Sequence, residues 1–381
     1  MKVLMVLTGL FPGGAEKIAL ELTRFLLKQG QEVAVVSLLR EPSGPDRAIV
    51  DAFGQLGVRI FFLNLTKKTP YRIFSLLGVI RREKPDIVHS HLMHANLCTR
   101  FARLFRNFRL VNTIHIAEKR PGTGYFFRLD RLTFFLCDAY TAVSEAAARF
   151  HEKRCGFPEG TIQVIYNGSD PVTPASGELV SRVKREWGIA DADKVIGSIG
   201  RLDFQKGYDR LLERLPRIVP LIPKGRQWAL VVIGNGPEKD SLRLTANALN
   251  QKYPELRVVF PGYRPDASSL MAMFDLFVMP SRYEGFGLAL TEALSLGLPV
   301  LCSNADSLPE LCAHARESSL VVDFDAPAEE FETIFERALR LPHSEKIVIQ
   351  SCEGMTNRYF RLYKELTMSK KNKNIFFDEE K

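Results

Sequence analysis

Short runs of β-branched and apolar residues alternate with amphipathic helical stretches along the whole chain, and that alternation predicts an α/β protein built on parallel sheets. The first half should hold strands at Val3–Leu7, Val33–Ser37, Val58–Phe62, Ile87–His89, Leu110–Ile114, Ala139–Val143 and Gln163–Ile165. Two prolines in Asp170-Pro171-Val172-Thr173-Pro174 interrupt the pattern. A new series of strands is then expected at 194–199, 229–233, 257–260, 276–279, 299–302 and 319–322. The interruption divides the chain into a domain at 1–170, a second at 171–355, and a terminal segment at 356–381 with a last helix and a polar tail. Ligands of open parallel sheets sit at the carboxyl ends of the strands, so two such domains predict an interdomain cleft with its chemistry on strand-end loops.

Composition narrows the class. With 46% hydrophobic and 25% charged residues the chain has ordinary globular usage, which excludes collagenous, disordered and multi-span membrane proteins. The most apolar stretch, Phe286 to Leu301, is cut by Glu292 and punctuated by Gly287, Gly297 and Pro299. The opening run Val3–Leu7 leads into Phe11-Pro12-Gly13-Gly14 without a small-residue cleavage site, so it reads as a first strand rather than an export signal. Six cysteines lie scattered with no CxxC, the usage expected of a protein in a reducing cytoplasm.

The net charge of +8 is uneven: residues 1–170 carry 24 Lys and Arg against 15 Asp and Glu, whereas residues 171–381 carry 28 against 29. An anionic partner for the first half follows from that asymmetry. A helix expected at 96–109 gathers Leu97, Phe101, Leu104, Phe105 and Phe108 on one arc and leaves Arg100, Arg103, Arg106 and Arg109 on the rest. Those four arginines are the expected membrane-facing residues of a protein peripheral to the inner membrane. Nucleic acid is not expected, because the basic half lacks interleaved aromatics and any nucleic-acid-binding motif.

Three loops carry the chemistry. Gly13 and Gly14 follow the first strand and open a helix, where backbone amides favour an anion. Arg201 and Lys206 stand five residues apart after the first strand of the second domain, an arrangement suited to clamping a diphosphate. Gly234 and Gly236 close the next strand, and either line that pocket or serve only a turn. Glu284, Gly285, Phe286, Gly287 and then Glu292 follow a later strand. If most of the spacing between the glutamates is helical, the carboxylates lie roughly 12 Å apart, beyond the roughly 5–9.5 Å of a glycosidase pair. Two contacts along one elongated ligand fit better.

The ordered set Gly13-Gly14-Ala15-Glu16, His115, Val143-Ser144-Glu145, Asn167-Gly168-Ser169-Asp170, Gly200-Arg201-Leu202 with Lys206-Gly207, Gly234-Asn235-Gly236, and Glu284 with Glu292 resembles glycosyltransferase family 4 over about residues 1–365. The resemblance implies a GT-B fold with two Rossmann-like domains. The first would bind a glycan or lipid-linked acceptor and the second a nucleotide-sugar donor, with UDP-sugars favoured, in cell-surface polysaccharide biosynthesis. It further implies retention of configuration, Arg201 and Lys206 on the diphosphate, Glu292 on the ribose, and Glu284 on the transferred sugar. Gly14 would lie against the diphosphate, and His115 beside the donor sugar, although Ile116 replaces the acidic residue that usually follows. The last helix, about 356–366, would return to the first domain. No metal or other cofactor is expected. The strings Asp191-Ala192-Asp193 and Asp323-Phe324-Asp325 are read as non-metal, with Asp325 capping a helix. His89, His91 and His94 are likewise not read as a zinc site. The alternatives are another acceptor such as phosphate, or a binding protein without catalysis.

Overall fold

The computed structural model describes residues 1–66, 68–116, 119, 124–189 and 194–375. They form two compact units, Met1–Gly168 with Gln350–Lys381, and Ser169–Ile349.

The first unit runs β1 (Lys2–Leu7), α1 (Gly14–Lys28), β2 (Glu32–Ser37), α2 (Ala48–Gln55), β3 (Arg59–Phe62), α3 (Ile73–Glu83), β4 (Ile87–His91), α4 (Met93–Arg103), β5 (Arg109–Ile114), α5 (Gly124–Thr133), β6 (Ala139–Ala142), α6 (Glu145–Cys155) and β7 (Gln163–Val164). All seven strands pair parallel in the order β3-β2-β1-β4-β5-β6-β7. Helices cover both faces, which is why β1 reads as a near-continuous apolar run rather than an alternating one and why β4 is buried along its whole length, its polar His89, Ser90 and His91 included. On one face Leu4, Val6, Val36, Val88 and Leu110 pack against Leu76 and Ile80 of α3 and Ala95 and Ala102 of α4.

The second unit runs α7 (Gly177–Glu186), β8 (Val195–Ile199), α8 (Tyr208–Ile218), β9 (Trp228–Ile233), α9 (Lys239–Lys252), β10 (Leu256–Gly262), α10 (Ala267–Leu270), β11 (Leu276–Met279), α11 (Leu288–Ser295), β12 (Val300–Ser303), α12 (Leu308–Cys312), β13 (Ser319–Val322) and α13 (Ala328–Ala338). Its six strands are also parallel, in the order β10-β9-β8-β11-β12-β13. Leu230 and Val232 of β9, Val278 of β11 and Leu301 of β12 share a core with Leu211 and Leu215 of α8 and Phe331 and Phe335 of α13.

The terminal helix α14 (Cys352–Ile375) belongs to the first unit and packs beside α1, where Phe360 meets Phe25 edge to face. Met355 Sδ accepts a bond from the amide of Gly168, and Arg358 donates to the carbonyl of Val164. Each sheet reverses its strand order once, between β1 and β4 and between β8 and β11. Those two reversals are the places where this architecture opens a ligand crevice.

Candidate active site

In the second unit the reversal sets the loops after β8 and β11 side by side, and the two loops meet through a charge pair. Lys206 ends a short 3-10 turn, Phe204–Lys206, whose first amide-bonding side chain is Asp203. Its ammonium donates to Glu284 Oε2 at 2.5 Å. The Ser281 hydroxyl donates to the same oxygen at 3.3 Å, and the Gly285 amide to Oε1 at 3.3 Å. The Glu284 amide in turn donates to Asp306 Oδ2 at 2.9 Å. Glu284 is therefore a buried carboxylate held by three donors, with its own amide held by Asp306, and a charge so placed is tolerated only because it is paired.

Arg201 stands apart from that network. Its side chain is 70% exposed, and its Nε lies 3.6 Å from Asp203 Oδ2. The guanidinium is thus available to a further anion, next to a lysine already engaged with a carboxylate.

The glycines have local reasons. A Cβ on Gly234 or Gly236 would run into the backbone of Gly200 and of Leu202 respectively, and the Leu202 amide donates to the Asn235 carbonyl at 3.1 Å. These contacts pack the loop after β9 closely on the loop after β8. Gly287 sits at φ +94° before α11, and a Cβ there would meet Leu308 Cδ2 at 2.8 Å. Phe286 is buried, its carbonyl accepting from the Ser307 hydroxyl at 2.9 Å.

Glu292 lies inside α11, which starts only at Leu288. Half of its separation from Glu284 is loop, so the helical ruler behind the 12 Å spacing does not apply. The Ser268 hydroxyl donates to Glu292 Oε2 at 2.9 Å.

In the first unit Gly13 caps α1 with extended backbone, and the Glu16 carboxylate folds back into the space a Gly13 side chain would need. Gly14 is the first residue of α1. His115 follows β5, and its Nε2 lies 2.9 Å from Nδ1 of His91, the last residue of β4. Burial pushes His115 down to about 3 and His91 well below the ordinary histidine value, so the pair is neutral and one ring donates to the other. Leu92, next to His91, is held at φ +73°, an unusual conformation for a leucine and a feature that clusters at functional sites. His91 and Asp306 are the site residues that spacing alone does not reveal. Asp306, at φ +45°, reaches Glu284 from the loop after β12.

Three expectations change. The helix at 96–109 is α4, Met93–Arg103, and Arg109 starts β5. Arg100 is fully buried, donates from Nε to Asn112 Oδ1 at 2.6 Å, and pairs with the buried carboxylate of Asp130. Arg103 pairs with Asp138, and Arg109 bonds the same carboxylate at 2.9 Å. Of the four arginines only Arg106 is exposed, because the inward positions of α4 are small and leave room for a buried ion pair. Second, Asp325 does not cap α13. Pro327 occupies that place, and Asp325 pairs with Arg210 at 2.9 Å. The other such string, Asp191 to Asp193, lies outside the described residues. Third, the glutamate spacing is not helical, as above.

His89 has both ring nitrogens engaged, Nδ1 with Tyr363 Oη at 2.5 Å and Nε2 with Thr113 Oγ1 at 2.6 Å. It has no lone pair left for a metal. Asp130, His151 and Cys155 bring three ligand-type atoms within 4.8 Å of one another, but Arg100 and the Tyr140 hydroxyl already bond that carboxylate. A guanidinium in contact opposes a cation there, and the cluster reads as a buried polar core.

Two family models match the chain, Glycosyltransferase Family 4 over residues 12–172 and Glycosyl transferases group 1 over residues 181–352. The chain is a GT-B glycosyltransferase of the family 4 type. Among solved structures, Anabaena HepE in complex with UDP and glucose superposes with a TM-score of 0.78 at 20% identity, covering 96% of this chain and 100% of that one. An uncharacterized glycosyltransferase of Methanocaldococcus jannaschii, MJ1607, is 27% identical over 251 residues, 62% of each chain. The O-antigen biosynthesis glycosyltransferase WclY of Escherichia coli is 32% identical over 154 residues, 40% of each chain. The chain thus spans less than two thirds of the length of these two relatives. The family's two-domain architecture accounts for the paired sheets and for the placing of the charged loops at the β8/β11 reversal.

Proposed function

We propose that the protein is a retaining glycosyltransferase that moves a sugar from a nucleoside-diphosphate donor, preferentially a UDP-sugar, to a glycan or lipid-linked acceptor in cell-surface polysaccharide synthesis at the cytoplasmic face of the inner membrane. The observation that carries the reading is the Lys206–Glu284 pair at the β8/β11 reversal with exposed Arg201 beside it. Two cations at a crevice match a diphosphate, and a buried carboxylate matches sugar hydroxyls. HepE binds UDP and glucose in the same fold, and the part of the chain that matches WclY points to a polysaccharide acceptor.

In this reading Arg201 and Lys206 stabilise the charge that builds on the departing diphosphate, the part that a divalent ion plays in other transferases, and the reaction needs no metal. Glu292 holds the ribose and Glu284 the sugar. The acceptor oxygen attacks the anomeric carbon from the face the diphosphate leaves. As the carbon–oxygen bond to phosphate breaks, that phosphate oxygen takes the acceptor's proton, so configuration is retained.

The test is calorimetry with UDP, GDP and ADP, followed by NMR of the transferred anomer with the sugar nucleotide of the best binder. Binding of UDP and an axial-to-axial product are expected. An inverted product overturns retention, and binding without transfer to any glycan or lipid-linked acceptor favours the non-catalytic alternative.

A further inference from the structure

Helices α3, α4 and α5 lie side by side on one face of the first sheet, with α4 packed between the other two. Their inner faces fill the core, yet their outer faces carry large apolar side chains among the basic ones. Phe74 of α3 is exposed and meets Phe105, just past α4, at 6.2 Å between ring centres, with Leu104 exposed beside it. On α5 the outward stripe continues through Leu129 and Leu132 to Phe135 in the following turn. Leu132 is 67% exposed and Phe135 71%. Leucine and phenylalanine recurring at three-residue steps on the solvent side of a helix invert the usual amphipathic pattern. Contiguous apolar surface of this kind marks an interaction site.

Charge identifies the occupant. Residues 66–137 carry 14 Lys and Arg against 4 Asp and Glu. Of those acids Glu83 and Asp130 are buried in ion pairs. Arg106 and Arg128 are exposed within the apolar patch and have no acidic partner among the described residues. A two-fold contact between copies of this face would bring cations against cations. An anionic bilayer instead offers acyl chains to the apolar side chains and phosphates to the arginines that flank them.

We propose that the outer face of α3, α4 and α5 is a membrane-docking surface for anionic phospholipid, with Phe74, Leu104, Phe105, Leu129, Leu132 and Phe135 entering the interface and Arg106 and Arg128 lying against the headgroups. It extends the reading of a lipid-linked acceptor by naming the surface that brings the protein to the bilayer, and its readout does not depend on transfer.

The experiment sediments the full chain with phosphatidylglycerol vesicles and with phosphatidylcholine vesicles, across ionic strength. The wild type should favour phosphatidylglycerol and dissociate as salt rises. The double variants Leu132→Asp/Phe135→Asp and Arg106→Glu/Arg128→Glu alter exposed side chains only, and each should reduce partitioning by at least about tenfold. Their thermal melts and UDP affinities should match the wild type. Equal sedimentation of wild type and variants overturns the surface, as does equal binding to both lipids. A wild type that ignores vesicles but forms a dimer that Leu132→Asp/Phe135→Asp dissolves assigns the face to a second copy instead. Vesicle binding without UDP binding would leave the surface standing while the transferase reading fell.

Discussion

The ammonium of Lys206 and the carboxylate of Glu284, 78 positions apart in sequence, are joined at 2.5 Å where the two loops of the β8/β11 reversal meet. In the proposed reading the lysine that meets the donor diphosphate is thus shared with the carboxylate that meets the sugar, and the two assignments are coupled. Glu284→Ala removes Lys206's internal anion, so UDP should bind more tightly while turnover falls. Lys206→Ala should weaken UDP by about 1.5–3 kcal/mol, the worth of a charged hydrogen bond. Calorimetry on both variants checks this, and UDP affinity lowered alike in both would break the coupling.

Arg201 offers a cleaner separation of binding from stability. Its side chain is largely in solvent and 3.6 Å from its nearest carboxylate, so Arg201→Ala should change the unfolding free energy by no more than surface substitutions do, about 0.5 kcal/mol or less. Its nucleotide affinity should nevertheless drop several-fold. A folded variant with full UDP affinity would remove Arg201 from the diphosphate.

The histidine cluster predicts a pH dependence. Burial holds His89 and His115 near 3 and His91 well below its ordinary value, whereas in the unfolded chain all three titrate near 6.5. Between those values the unfolded state binds more protons than the native state, so stability is full above pH 6.5 and falls as pH drops toward 3. Each histidine contributes a slope of up to about 1.4 kcal/mol per pH unit. Thermal melts from pH 7 to 4.5 should show the loss, and His91→Asn should reduce the slope. A pH-independent melting point over that range would contradict neutral burial.

Much of this molecule is legible in its sequence because the information is periodic. Strands buried on both faces in parallel sheets tend to be short apolar or β-branched runs, and all thirteen lie within a residue or two of where that pattern places them. Arg201, Lys206, Glu284 and Glu292 were visible because charged residues and glycines cluster where such strands end. Asp306 and His91 were not, because each acts across the sheet on a residue 22 or 24 positions away, a relation fixed by strand order and invisible to spacing. The α4 arginines misled for a related reason. A helical wheel assigns charge to solvent, and only the tertiary partner Asp130 shows that Arg100 points inward.

That correction is itself testable, since a buried arginine and a lipid-facing one respond oppositely to removal. Arg100 is fully buried, bonded to Asn112 at 2.6 Å and to Asp130, with its guanidinium 4.8 Å over the Tyr140 ring. Arg100→Ala leaves the Asp130 carboxylate without its cation in a low-dielectric core, and breaking such a pair costs roughly 3–5 kcal/mol. Arg106→Ala, on an exposed side chain a turn and a half further on, should cost about 0.5 kcal/mol or less. Urea denaturation of the two variants measures the difference directly. Equal stability would mean that Arg100 is not committed to the core in solution.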